Sequence, residues 1–232
     1  THKNFKFENL NDYCLECGEF RSIYEHLNTT PVEYEIFCYQ RWFILKNYME
    51  KQNLDKIFYI DSDVLLFVNI TEEWKHFDQY ILTLAHRSAG TNSFITLEGV
   101  TSFCNFLMDT YKNKNSYNYK KIASHYNIRR EFGLPGGVCD MTFLEFFHYC
   151  ADCGGGPGRV GEMMQIVNDS TYDHNINAPD QGFSFKNGKK DFILKEGIPY
   201  VFNNTLNKKI KFNSLHFQGG AKNLIRSVYD RC

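Results

Sequence analysis

Two carboxylates set two residues apart, Asp61 and Asp63, close the near-continuous apolar run Lys56-Ile57-Phe58-Tyr59-Ile60, and a second run, Val64-Leu65-Leu66-Phe67, follows at once. The first run is short, β-prone and too apolar for a half-exposed edge, so it is expected to form a buried strand. That puts Asp61 and Asp63 at the strand's carboxyl end, the place where open α/β sheets bind ligands. Residues two apart in extended chain point to the same side, so both carboxylates can approach one ligand or cation. Ionised carboxylates that close repel each other unless something positive lies between them, and a divalent metal is the simplest candidate. The competing reading is a polar turn, since Asp and Ser are ordinary turn formers.

A second polar motif near the end of the chain supplies what the Asp pair lacks. It is Phe212-Asn213-Ser214-Leu215-His216-Phe217-Gln218-Gly219-Gly220-Ala221-Lys222. His216 offers an imidazole that manganese accepts beside carboxylate oxygens. Taken alone it would be read as a core histidine with its hydrogen bonds satisfied. Gly219 lets the backbone approach an anion closely, and Lys222 brings a compact positive charge suited to phosphate.

These residues need elements to hold them. Thr30-Pro31-Val32-Glu33 is a helix start, with Thr at the N-cap, Pro at the first helical position and Glu three residues after the Thr. The helix is expected from Val32 to about Glu50, carrying Ile36, Phe37, Phe43, Ile44 and Tyr48, and it leads into the Asp61 strand as a crossover. Tyr80–Ala85 reads as a strand, Ser93–Tyr111 as a helix and the polar stretch Lys112–Lys121 as a solvated loop or helix end. Glycine-rich backbone over Phe132–Asp140 precedes a helix from Met141 to Cys150, with Asp140 at the N-cap position. Gly154-Gly155-Gly156-Pro157-Gly158 lacks the Lys-Ser/Thr of a P-loop and reads as a mobile loop. Short strands are expected around Phe192–Leu194 and Tyr200–Phe202. The opening, Thr1–Asn11, is polar and holds no apolar strand, so the sheet either lacks its first strand and helix or starts in an unusual place.

With 232 residues, 43% of them hydrophobic, the chain can build one substantial core and is expected to be a single domain over 1–232. A formal net charge of −1 gives no reason to expect nucleic acid as a partner. No apolar run reaches membrane-spanning length and no signal peptide is evident, so the expected protein has no membrane span and is cytoplasmic. Eight cysteines are many for this length, and Cys38 and Cys104 fall in apolar helical patterns where a reduced thiol acts as a small hydrophobe. Cys14-x-x-Cys17 and Cys150-x-x-Cys153 have zinc-knuckle spacing, but the intervening stretch is far too long for a compact ribbon, and reduced thiols are the default.

Asp61-Ser62-Asp63 taken with His216-x-x-Gly219-x-x-Lys222 resembles the donor site of GT-A glycosyltransferases, especially the retaining glycogenin and bacterial galactosyltransferase group. The blocks Arg41-Trp42-Phe43, Asp140-Met141-Thr142, Asp173-His174-Asn175-Ile176-Asn177 and Leu215–Gly219 resemble small viral and bacterial domains of that fold. The resemblance implies an α/β fold with a central mixed sheet flanked by helices. It also implies transfer of a sugar, UDP-linked, from a nucleoside diphosphate to a glycan or other hydroxyl acceptor. Asp61, Asp63 and His216 would bind Mn²⁺ or Mg²⁺, and Asp61, Ser62, Gly219 and Lys222 would contact the donor. Asp140 would grip the donor sugar or assist the acceptor hydroxyl, with Asp173 and His174 lining the acceptor side. The chain departs from the glycogenin group in having Asn223-Leu224 where Pro-Trp often follows the lysine. Two other classes remain: a non-catalytic sugar-nucleotide or interaction module, and a haloacid-dehalogenase-type phosphohydrolase, whose downstream Lys and Gly-Asp motif are not evident.

Overall fold

The computed structural model describes residues 5–232, so the first four residues of the polar opening lie outside the described residues. In chain order the helices are α1 (Cys17–Ile23), α2 (Val32–Lys51), α3 (Ile70–Glu73), α4 (Leu97–Lys112), α5 (Tyr117–Glu131), α6 (Asp140–Tyr149) and α7 (Ile225–Tyr229). The strands are β1 (Lys56–Ile60), β2 (Val64–Leu66), β3 (Leu82–Leu84), β4 (Asn92–Thr96), β5 (Val160–Glu162), β6 (Ser170–Tyr172), β7 (Phe185–Lys186), β8 (Lys189–Lys190), β9 (Phe192–Lys195), β10 (Ile198–Asn203) and β11 (Lys208–His216). The chain is therefore mixed α/β. Its strands divide among several sheets, ordered β1-β4-β3-β5, β2-β11-β10-β9 with β6 beside β11, and β7-β8. Among the described residues no strand precedes Lys56.

Two compact units make up the chain, Thr1–Ile57 with Ile95–Arg159, and Phe58–Phe94 with Val160–Cys232. The first is helical. α2 starts one residue later than the Thr-Pro signal implies: Pro31 takes the cap position, and the Thr30 hydroxyl instead donates to Glu35 Oε1 at 2.6 Å. Aromatic faces from α1, α2, α4 and α6 form its core, with Phe20, Tyr39, Phe43, Phe103, Phe143 and Phe147 almost fully buried. Ser93–Thr96, expected as the start of a helix, belongs to β4. Thr96 then caps α4 by accepting from the Gly99 amide at 3.0 Å. Lys112–Lys121 spans the end of α4 and the start of α5, capped by Ser116, because two local caps override an otherwise polar pattern.

Gly137 is required where it stands, since a Cβ there would lie 2.2 Å from the Leu27 carbonyl oxygen, which accepts from the Val138 amide at 2.7 Å. Likewise a Cβ on Gly155 would lie 2.2 Å from the Phe147 carbonyl oxygen, so the glycines expected as a mobile loop serve close packing against the end of α6. Cys150 and Cys153 are joined as a disulfide, which corrects the expectation of reduced thiols at that pair and removes half of any four-cysteine zinc set. The remaining six cysteines are free. Among the described residues no helix is long and apolar enough to cross a membrane.

The second unit is built mainly of strands. β10 pairs antiparallel with β9 and with β11, and β11 pairs antiparallel with β2 in the register His216↔Val64, Leu215↔Leu65, Ser214↔Leu66. β6 lies parallel to β11 on its other edge. Ile176, Phe183, Val201, Ile210, Phe212, Leu215 and Phe217 bury one face of this sheet. A smaller cluster, Phe94, Met163 and Tyr172, collects Phe58, Trp74 and Phe77 around it.

Candidate metal centre

The register of β2 against β11 brings the two sequence motifs together. His216 faces Val64, one residue after Asp63, and the Phe217 amide donates to the Asp63 carbonyl oxygen at 2.8 Å. Asp61, Ser62 and Asp63 form a turn between β1 and β2, with the Val64 amide donating to the Asp61 carbonyl at 3.2 Å. The carboxylates thus converge through a turn rather than through strand alternation, and β1 is only half-buried. One ligand atom from each of Asp61, Asp63 and His216 lies within 4.8 Å of the others. Ser62 sits exposed at the turn.

Two of the three candidate ligands, Asp61 and His216, are held from behind. Tyr59 donates its hydroxyl to Asp61 Oδ1 at 2.8 Å, and the Asp61 amide donates to the Thr91 carbonyl at 2.8 Å. His216 Nδ1 is hydrogen-bonded to the His174 carbonyl oxygen. A carbonyl only accepts, so Nδ1 carries the proton and Nε2 is the nitrogen that faces Asp63 Oδ1, 3.4 Å away. In the neutral ring Nε2 presents a lone pair to a carboxylate oxygen, which is unfavourable unless a cation lies between them. A metal-ligating histidine is commonly oriented in this way by a carbonyl behind its other nitrogen. The residues present fit a divalent cation.

Asp173–Asn177 forms the template against which His216 is set. Asp173 Oδ2 accepts from the His216 amide at 3.0 Å, and the Ile176 amide donates to the His216 carbonyl at 2.9 Å. Asn175 Nδ2 and Asn177 Nδ2 donate to Gln218 Oε1 and the Gln218 carbonyl at 2.6 and 2.9 Å. Beneath the segment Lys190, fully buried, donates to Asp173 Oδ1 at 2.9 Å and to the Asn175 carbonyl at 2.7 Å, and lies 3.1 Å from Asp180 Oδ1. Asp173, expected to line an acceptor site, is instead fully buried behind His216. His174 Nδ1 lies 3.1 Å from Asp180 Oδ2. Burial, followed by the positive charge of Lys190, pushes its imidazole down to about 3, so the ring is neutral at physiological pH.

Gly219 opens a 3₁₀ turn, Gly219–Leu224, in a left-handed conformation with φ of 58° that a glycine adopts without strain. A Cβ on it would meet nothing within 4 Å. The turn delivers Lys222, whose Nζ lies 3.1 Å from Asp63 Oδ2 while 58% of its side chain stays exposed. Asp140 belongs to the first unit. Cys139 rather than Asp140 occupies the N-cap of α6, and the buried Asp140 carboxylate accepts from Arg41 Nη2 at 2.6 Å and Trp42 Nε1 at 3.0 Å. Asp140 therefore ties α6 to α2.

Compared with known proteins, the chain matches no family model, no curated protein and no solved structure.

Proposed function

We propose that the chain is a divalent-metal-dependent glycosyltransferase of GT-A type, moving a sugar from a nucleoside diphosphate sugar, UDP-linked, to a hydroxyl acceptor. The observation that carries this reading is the meeting of Asp61, Asp63 and His216 within 4.8 Å of one another. Lys222 beside them, 3.1 Å from Asp63 Oδ2, supports a site that also handles an anion.

On this reading Asp61, Asp63 and His216 would hold Mn²⁺ or Mg²⁺, which when bound supplies Lewis-acid stabilisation of the departing diphosphate. Tyr59 holds Asp61 in place, and the His174 carbonyl keeps the proton on His216 Nδ1 so that Nε2 is available as a ligand. Lys222 exchanges Asp63 for a diphosphate oxygen as the donor enters, placing its charge where negative charge grows along the reaction. Gly219, with open space beside it, lets the backbone approach the same phosphate. Asp140 acts as a tie between helices, with Oδ2 engaged by both Arg41 and Trp42.

The test is release of nucleoside diphosphate from a panel of nucleotide sugars, measured with Mn²⁺ and with EDTA. Mn²⁺-dependent release that disappears in Asp63→Asn is expected. Donor binding without turnover under any condition would establish the non-catalytic module instead, and absence of both Mn²⁺ and nucleotide-sugar binding would overturn the reading.

A further inference from the structure

A cavity of about 350 Å³ in the second unit lies outside the metal centre. It is walled by Glu73, Phe77, Tyr80, Glu162, Tyr172 and Asn213, with Gln79, Gln165 and Asn168 also lining it. Its volume is within the range of small-ligand sites.

Three features make it a built site rather than a packing gap. Asn213 is 2% exposed, and its Oδ1 has no hydrogen-bond partner although its Nδ2 reaches Glu73 Oε2 at 3.4 Å. Asn213 is thus sealed behind the cavity wall, and its Nδ2 contact ties it to the Glu73 carboxylate that lines the cavity. Glu73 Oε2 also accepts the Tyr172 hydroxyl at 3.0 Å, which fixes the carboxylate at the wall. Gly161 keeps its side of strand β5 bare: a Cβ there would lie 2.5 Å from the Tyr80 ring, so the ring lies directly on the strand and forms a flat wall.

The chemistry of the wall selects the ligand. No Lys or Arg lines the cavity; its one imidazole, His76, stands against the two carboxylates of Glu73 and Glu162, a balance that disfavours phosphates and nucleotides. The amides of Gln79, Gln165 and Asn168 offer N–H donors, and the carboxylates of Glu73 and Glu162 offer acceptors, while Phe77, Tyr80 and Tyr172 supply apolar ring surface. A ligand that both donates and accepts at closely spaced positions around an apolar ring meets all of these. A quaternary ammonium group offers no acceptor to the amide N–H groups.

We infer that this cavity binds a neutral carbohydrate through its hydroxyl groups, with the carboxylates of Glu73 and Glu162 accepting from them. The inference goes beyond the transferase reading and stands without it, because none of the cavity's lining residues is Asp61, Asp63, His216 or Lys222.

The test is saturation-transfer NMR on the whole chain in EDTA, titrating the methyl glycosides of glucose, galactose, mannose and N-acetylglucosamine, with choline as the cationic control. Removing the metal keeps the outcome independent of the metal centre. Saturable binding of at least one glycoside is expected, weakened about tenfold in Asn213→Leu. Gln165→Ala, at an exposed position that leaves the core untouched, is expected to weaken it by a smaller factor. Gly161→Ala, which displaces the Tyr80 ring, is expected to weaken it as well. No saturation by any glycoside up to about 50 mM, a concentration that reveals even millimolar affinity, overturns the inference. So does binding that all three substitutions leave unchanged, or binding of choline in place of the glycosides.

Discussion

Asp173 and Lys190 form an ion pair of 2.9 Å in which neither side chain is exposed to solvent. The other oxygen of the same carboxylate receives the His216 amide, so a charge pair sealed inside the second unit sets the position of a candidate metal ligand. Removing one partner of such a pair leaves an uncompensated buried charge. Lys190→Met is therefore expected to cost about 3–5 kcal/mol of unfolding free energy, read from denaturant midpoints. In the protein that remains folded, Mn²⁺ affinity measured by electron paramagnetic resonance is expected to fall about 10–100-fold, the range for a group that orients a ligand from behind. Unchanged stability and affinity would show that Lys190 is idle.

Replacing the ligands themselves separates metal binding from folding. His216→Ala and Asp63→Asn are each expected to lower Mn²⁺ affinity by at least the same 10–100-fold. His216→Ala should keep the antiparallel pairing of β2 with β11, because that pairing runs through backbone groups. Isothermal calorimetry with Mn²⁺, together with circular dichroism, checks both. A variant that binds Mn²⁺ as the parent does removes that residue from the centre.

The parts of this centre legible in the sequence were those written in residue type: Asp61, Asp63, His216 and Lys222 are all brought together. What holds them was not legible. Lys189-Lys190 looks like solvated surface charge, and only the fold buries Lys190 beneath Asp173. A signal did exist, since Asn187-Gly188, with φ of 51° and 75°, is the turn pair that makes a tight hairpin and places Lys190 in a strand. Ser93–Thr96 reads as the start of the following helix because strand and helix abut at Thr96 with no loop between them. The cap of α6 falls one residue earlier than the pattern implies, on Cys139, which frees Asp140 for a buried ion pair with Arg41.

Glu35 offers a pH-dependent test of the first unit. Burial pushes its carboxyl above the usual carboxylate range, opposed by the Thr30 hydroxyl and reinforced by the charge of Asp140, and its Oε2 has no partner. A carboxyl raised in the folded state binds its proton more tightly there than in the unfolded chain. Below the unfolded value both states are protonated and nothing is lost; as pH rises through the folded value the charged form burdens the native state. Glu35→Gln keeps an acceptor for Thr30 and removes the charge. Its melting temperature is expected to exceed the parent's by about 2–4 °C at pH 7.5 and to match it near pH 4. A lower melting temperature at both pH values would mean that the charged carboxylate is stabilising.

Lys222 lies close enough to Asp63 that, on the proposed reading, it would have opposite effects on metal binding and on turnover. Its Nζ is 3.1 Å from Asp63 Oδ2, so without donor it competes with a cation for that carboxylate. Because more than half of the side chain is exposed, the competition is weak, and Lys222→Ala is expected to tighten Mn²⁺ binding only about 2–5-fold in the absence of donor. On the proposed transferase reading the departing diphosphate would gain negative charge, and an interaction with it would be stronger at the barrier than in the ground state. The same variant is therefore expected to lose on the order of 10²-fold in kcat with a smaller rise in donor KM. Lys222→Arg should recover only part of the loss, since a planar fork does not place its charge where a compact ammonium does. Tighter Mn²⁺ binding with slower turnover is a pairing that a solvated surface lysine does not produce. If both quantities match the parent at low salt, Lys222 has no part in the chemistry and the resemblance to the glycogenin group fails at that position.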